Sequence, residues 1–473
     1  MSFFILGIIV LIVGYFTYGK LVDKTFGVDE SRETPANAIN DGVDYVPMSW
    51  PRVFLIQLLN IAGLGPIFGA IQGALFGPAA FLWIAFGSIF AGGVHDYFSG
   101  MLSLRHEGQS VSEIVGIYLG EGARKIMRVF SVVLLVLVGT VFMMGPVDLL
   151  ANLKLFGLGN ANIWLGIVLA YYFLATILPV DKIIGKFYPV FGLALLIMAV
   201  GIGGALVIDG YTLPEFTLSS LHPDGLPLWP MLFVTIACGA ISGFHATQSP
   251  MMARCLDNER EGRKIFYGAM IAEGIIAMIW AAAAMAFFGG VPQLGEAMAN
   301  GGGAAGVVNT ISTSLLGKVG GLLAMLGVIA APITSGDTAF RSARLTIADA
   351  AGYDQGPIKN RLSIAVPLFA VGFLLTRIDF NIIWRYFAWS NQTLAMIVLW
   401  ASAAYLVKVK KPHWIASLPA TFMTAVSVTY IMMAPEGFKL SSKISYPVGF
   451  VVAIVVLVYF IKKANKKESY QGA

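Results

Sequence analysis

The stretch NIAGLGPIFGAIQGALFG, Asn60–Gly77, preceded by Gln57, is apolar enough to lie in a membrane but poorly suited to remain helical. Gly63, Gly65 and Pro66 fall close together, and in a helix interior each glycine costs about 1 kcal/mol and a proline about 3. In lipid, unwound backbone is tolerated only where it lines a cavity or is buried in protein. A second such stretch, ACGAISGFHATQSP at Ala237–Pro250, carries Gly239, Ser242, Gly243, His245 and Gln248. A third, AAPITSGDTAFRSAR at Ala330–Arg344, carries Pro332, Gly336 and several oxygen-bearing side chains.

The surrounding chain is a membrane protein. Of 473 residues, 57% are hydrophobic and 12% charged, against about 25% charged in soluble proteins; the mean hydropathy is +0.78. This composition excludes a cytosolic enzyme, a secreted disulfide scaffold and a nucleic-acid-binding module. Thirteen apolar runs are long enough to span: near 2–18, 52–76, 80–98, 127–148, 161–179, 187–208, 229–249, 266–288, 318–338, 362–377, 380–407, 412–434 and 445–462. The first lacks a basic leader and a cleavage site, so it is read as a helix rather than a signal peptide. With the N-terminus outside, 25 of the 31 Lys and Arg residues fall in cytoplasmic loops, as the positive-inside rule requires. An N-out, C-in, multi-pass protein of the inner membrane is predicted, and the pI near 9.0 needs no nucleic-acid partner. Cys238 and Cys255 offer neither a disulfide framework nor a metal ligand set by spacing. GGGAAG at Gly301–Gly306 fits a dinucleotide fingerprint by accident, since no strand precedes it. Neither a phosphate-binding P-loop nor an H-E-x-x-H motif occurs, so the chain reads as a non-enzyme.

The breaks are spaced regularly. When the first and last two helices are set aside, ten remain, and the broken ones are the first and sixth, running in opposite directions. That pattern predicts an all-α, five-plus-five inverted-repeat core of the LeuT/APC type with about three extra helices. Its parts are an N-terminal helix (1–18), a cytoplasmic linker (19–51), a first repeat (52–208), a second repeat (229–407), and two further helices with a basic tail (412–473). Half-helix N-termini suit anions and freed carbonyls suit cations. The candidate substrate-binding residues are therefore Gln57, Asn60, Gly63, Gly65, Ser242, Gly243, His245 and Gln248. In the third stretch Ala331, Thr334 and Ser335 set a freed carbonyl beside two hydroxyls, a hard-cation pattern. This pattern and N-x-x-G-L-G resemble the sodium site of neurotransmitter:sodium symporter-like proteins. The resemblance implies a candidate sodium ion held by Leu59, Ala62, Ala331, Thr334 and Ser335. Pro66, standing where that family has an amide side chain, limits the expectation to one ion. The alternative is that Thr334 and Ser335 bond back to the preceding turn. No organic cofactor is expected.

Intramembrane ionisable groups are functional candidates because lipid makes them costly. His95 and Asp96, placed at the inner end of the third helix, are candidates for a proton relay or inner gate. Glu273 is read as a proton site or as the partner of an inner-loop arginine. Asp337 and Arg341, at i,i+4, are expected to pair as a cytoplasmic gate. Arg385 is a candidate for meeting a carboxylate from the outer vestibule. Asn391 and Gln392 either glue helices together or line the path. The segment around Asp41 and Asp44 is either a lid or a connector.

DGVDYVP at Asp41–Pro47, NIAGLGPIFGA at Asn60–Ala70, the run Phe76–Gly108 and WSNQTLA at Trp389–Ala395 resemble the carbon starvation protein A family, in a compact form. The resemblance implies an inner-membrane importer of short peptides or pyruvate, coupled to a cation; membrane lipid is a further partner and nucleic acid is not. A non-transporting nutrient receptor with a transporter fold is the alternative. Backbone amides accept any carboxylate, so these residues do not choose between the substrates or set the oligomeric state.

Overall fold

The computed structural model describes residues 1–42, 44–177, 181–355 and 357–471. Every named element among them is helical. Ten helices are long and apolar enough to cross a membrane, and an eleventh span is a bent pair. These are α1 (Ser2–Phe26), the bent pair α2 (Trp50–Ile61 and Gly65–Ala74), α3 (Ala79–Arg105) and α4 (Glu121–Leu153). The shorter apolar helix α5 (Ala161–Ile177) and α6 (Asp181–Ile208) follow. The interrupted α7 comprises Leu228–Leu232, Phe233–Thr235 and Gly243–Ala253. Then come α8 (Glu259–Phe287), α9 (Gly303–Ala351), α10 (Ile358–Leu375), α11 (Phe380–Lys408), α12 (Trp414–Met433) and α13 (Ser442–Asn465). Each apolar run in the sequence thus falls on one of these helices or interrupted pairs.

Local chemistry explains two of the three expected breaks. In α2 the halves bend by 55°. Ala62 leaves helical geometry at ψ 47°, four residues before Pro66, whose ring excludes the carbonyl at that position. In α7 the chain unwinds over Ile236–Ser242, with Gly239 at φ +92°, a conformation that costs a side-chain-bearing residue.

The third expectation is corrected: α9 is not interrupted at Pro332. A π-turn at Met325–Ala330 ends immediately before it and puts Pro332 in the first turn of the α-helical segment Ala331–Ala351. The wider winding of that turn accommodates the proline ring, which in a regular α-helix would clash with the carbonyl four residues back. The distortion of α9 lies instead at Gly317, φ +58° and ψ −145°, beside the expected outer loop.

The core is built from α2, α3, α4, α7, α8 and α11. Trp280, Tyr97, Tyr267, Phe142 and Phe244 are among its largest fully buried side chains. By contrast, α1 and α13 expose Ile9, Val13, Phe450 and Ile454, as befits lipid-facing flanks. The linker between α1 and α2 is docked rather than loose. Met48 N donates to Cys255 O (3.1 Å), Asp29 N to Glu259 Oε2 (2.9 Å) and Tyr45 Oη to Glu107 O (2.9 Å).

Candidate transport site

The two interruptions touch. A Cβ added to Gly65 would lie 2.1 Å from Cys238 Cβ, and one on Gly239 would lie 3.4 Å from Pro66 Cα. Only a glycine lets the α2 break pass so close to the α7 break, so the glycines that unwind the helices also let them meet. The freed backbone of α7 is then satisfied by side chains. Trp83 Nε1 donates to Ile236 O (3.0 Å) and Ser88 Oγ to Gly239 O (2.9 Å). Gln392 Nε2 donates to Phe233 O (2.7 Å), while Asn391 Oδ1 accepts from Phe244 N (2.8 Å) and Ser242 Oγ (2.9 Å). Two consecutive amides on α11 thus cap the carbonyl end of one half-helix and the amide end of the other. This decides their role in this conformation: they hold the break together.

Beside the break lies a cluster of buried ionisable groups. Asp96 Oδ1 is 2.7 Å from His95 Nδ1, and its Oδ2 is 2.8 Å from His245 Nδ1. A carboxylate only accepts, so both rings donate through Nδ1. On the other side of His245, Nε2 lies 3.4 Å from Glu273 Oε2. Among the described residues no well-formed hydrogen bond reaches His245 Nε2, His95 Nε2 or either oxygen of Glu273. All four residues are fully buried. Cys238 completes the group, since its Sγ, a His245 nitrogen and a Glu273 oxygen lie within 4.8 Å of one another.

Several expectations shift accordingly. His95 and Asp96 do not end the third helix; α3 continues to Arg105, and Asp96 faces the α7 break. Glu273 faces His245 rather than an inner-loop arginine. Gln57 joins the first half of α2 to the second half of α7 through Ser249 Oγ (3.3 Å). Asn60 is buried beside it in α2, while Gln248 donates to its neighbour Thr247 (2.9 Å). Gly63 packs under the Phe142 ring, and Gly243 against the α11 backbone at Asn391.

In the candidate sodium set, Leu59, Ala62 and Ala331 are buried. Thr334 Oγ1 donates to Ala331 O at 2.7 Å, inside its own helix. Ser335 Oγ is buried with no hydrogen-bond partner among the described residues. Phe142 of α4 contacts both Gly63 in the α2 break and Gly336 in α9. The Asp337–Arg341 pair forms at 3.1 Å, and Arg385 is paired with Glu436 at 3.2 Å.

Sequence reasoning missed Cys238, which sits in an apolar run and carries no local signal. It also missed Glu259, where Arg105 makes a two-pronged contact (3.1 and 3.0 Å). In the sequence Glu259 is one charge among many in an inner loop.

Residues 1–154 and 150–312 match the family described as carbon starvation protein CstA. The chain belongs to that family. An uncharacterized membrane protein of Haemophilus influenzae is 45% identical over 64% of this chain and 95% of its own length. The peptide transporter CstA of Campylobacter jejuni is 24% identical over 92% and 81%. The pyruvate/proton symporter BtsT of Escherichia coli is 28% identical over 57% of this chain and 47% of its own. Among solved structures, Mhp1, a nucleobase-cation-symport-1 family transporter, superposes with a TM-score of 0.50 at 16% identity, over 90% of this chain and 96% of that one. The fold is therefore that of an inverted-repeat transporter, and this CstA-family chain is a multi-pass membrane protein whose named relatives are transporters.

Proposed function

We propose that the chain is a secondary active transporter of the inner membrane, with its N-terminus outside. It imports a small carboxylate-bearing nutrient, pyruvate or a short peptide, by alternating access coupled to a cation. The observation that carries this reading is the direct contact of the two interrupted helices, Gly65 against Cys238. Substrate sites of inverted-repeat transporters lie between such breaks, and the relatives' names supply the substrate classes.

In the described conformation Asn391 fills the N-terminus of the second half of α7. On this reading a substrate carboxylate takes the place of the Asn391 oxygen at the Phe244 amide and Ser242 hydroxyl, opening Gly65 from Cys238. The coupling cation supplies the positive charge that the buried carboxylates of Asp96 and Glu273 demand; the hydroxyls of Thr334 and Ser335 are its other candidate seat.

The test is uptake of labelled pyruvate and of a labelled dipeptide into proteoliposomes, under a sodium gradient or a proton gradient alone. Accumulation against a gradient is expected. If sodium alone drives it, the ion belongs at Thr334 and Ser335; if protons alone drive it, coupling belongs to the cluster around Asp96. Retained binding with no flux of either solute under either gradient would overturn the transporter reading in favour of a receptor.

A further inference from the structure

We propose that Cys238, His245 and Glu273 form a binding site for a divalent transition-metal ion of the Zn²⁺ or Cd²⁺ type, seated in the α7 break. Three observations converge on it. The three side chains supply a thiol, an imidazole and a carboxylate, each a ligand for such an ion, with donor atoms within 4.8 Å of one another. It is the one such group among the described residues.

The nitrogen and the carboxylate are also directed inward and only loosely held, while the thiol rests on Ser242 Oγ. His245 gives its Nδ1 proton to Asp96 at 2.8 Å. Its Nε2 then faces a carboxylate oxygen at 3.4 Å, and no well-formed hydrogen bond reaches that nitrogen or either Glu273 oxygen among the described residues. One positive charge, a proton on Nε2 or a metal ion, satisfies both atoms in this fully buried site; the thiol beside them supplies the third ligand that only a metal uses.

Asp96, finally, stands where a metal site needs it. A histidine ligand is normally oriented by donating its other ring nitrogen to a carboxylate, and His95 holds Asp96 from the far side at 2.7 Å.

A tetrahedral ion takes bonds of about 2.0–2.3 Å, so the His245–Glu273 spacing already fits. The thiol has to give up its contact with Ser242 Oγ (3.2 Å) and close on the ion as a thiolate. An ion bound there would join the unwound stretch of α7, its second half-helix and α8 in one coordination sphere. It would thereby pin the break.

The test uses the full-length protein, purified in detergent and stripped with a chelator. Cd²⁺ is titrated in, and its ultraviolet thiolate-to-metal charge-transfer band is read together with the stoichiometry of retained metal. The second cysteine makes a good control. Cys255 lies in the loop between α7 and α8, outside the proposed ligand group, so Cys255→Ser is expected to leave the band intact. The expected result is one ion per chain with the band present. Cys238→Ser and Cys238→Ala should abolish the band, and Asp96→Asn should weaken affinity by about 10–100-fold. Should one cysteine variant fail to fold, the other and Asp96→Asn carry the test. A wild-type protein that shows no band, or a band that disappears with Cys255 and persists without Cys238, would overturn the proposal. Cd²⁺ binding is read without flux, so its failure is distinct from failure of the transport reading.

Discussion

Asn391 shows how one side chain can hold a broken helix in register. Its Oδ1 accepts from both the Phe244 amide and the Ser242 hydroxyl, and the residue is fully buried. Replacing it with leucine keeps the branched outline but leaves two buried donors unpaired, at about 1–3 kcal/mol. Asn391→Asp keeps an acceptor at a half-helix N-terminus, where negative charge is favoured. The thermal midpoint in detergent is therefore expected to fall clearly for Asn391→Leu and less for Asn391→Asp. An equal fall for both would show that packing, not the cap, is what the residue supplies. Asn391 and Gln392 were legible as polar residues in an apolar helix. What they bonded was not, because their partners lie 149 and 159 residues away.

At the scale of elements, one end of the bundle is closed by a strap. Arg105, at the end of α3, holds Glu259 at the start of α8, the carbonyl of Gly27 after α1 (2.7 Å) and the hydroxyl of Tyr405 in α11 (2.7 Å). Glu259 is fully buried, and it also receives the Asp29 amide and Arg32. Removing one partner of a buried pair strands the other charge, a loss of about 3–5 kcal/mol in well-buried cases. Glu259→Ala is therefore expected to raise amide hydrogen exchange sharply over residues 27–48 while the helical core stays protected. Exchange that is unchanged there would mean that Thr34 and Asn37, bonded to Asp257 O (3.4 and 3.0 Å), hold the linker unaided. The linker's polar composition was readable beforehand, but composition does not reveal what a polar segment docks against. Pro332 teaches the converse. A proline that locally reads as a break was absorbed by the π-turn before it.

For the whole molecule, the prediction is topological. Thirteen expected spans with 25 of 31 basic residues inside predict the α12–α13 loop outside and the α11–α12 loop inside. Both native cysteines are buried, which makes them quiet in labelling. Lys439→Cys is expected to react with a membrane-impermeant maleimide in intact cells, and Lys411→Cys only after permeabilisation. The reverse pattern would invert the orientation of the whole bundle.

The sequence by itself determined that the chain lives in lipid, which of its runs can cross, and that three of them are poor helices, of which the two five helices apart do unwind. Those are consequences of composition and of backbone chemistry within a few residues: apolar length, the missing proline amide, and glycine's access to positive φ. Only the tertiary structure decided that Asp96, Cys238, His245 and Glu273 share one buried cluster, that Asn391 occupies the half-helix N-terminus, and that Thr334 turns back to its own helix. The physical reason is range. Such contacts depend on how two unwound segments stack, and that is fixed by close glycine approach between helices far apart in the chain, which no local periodicity records.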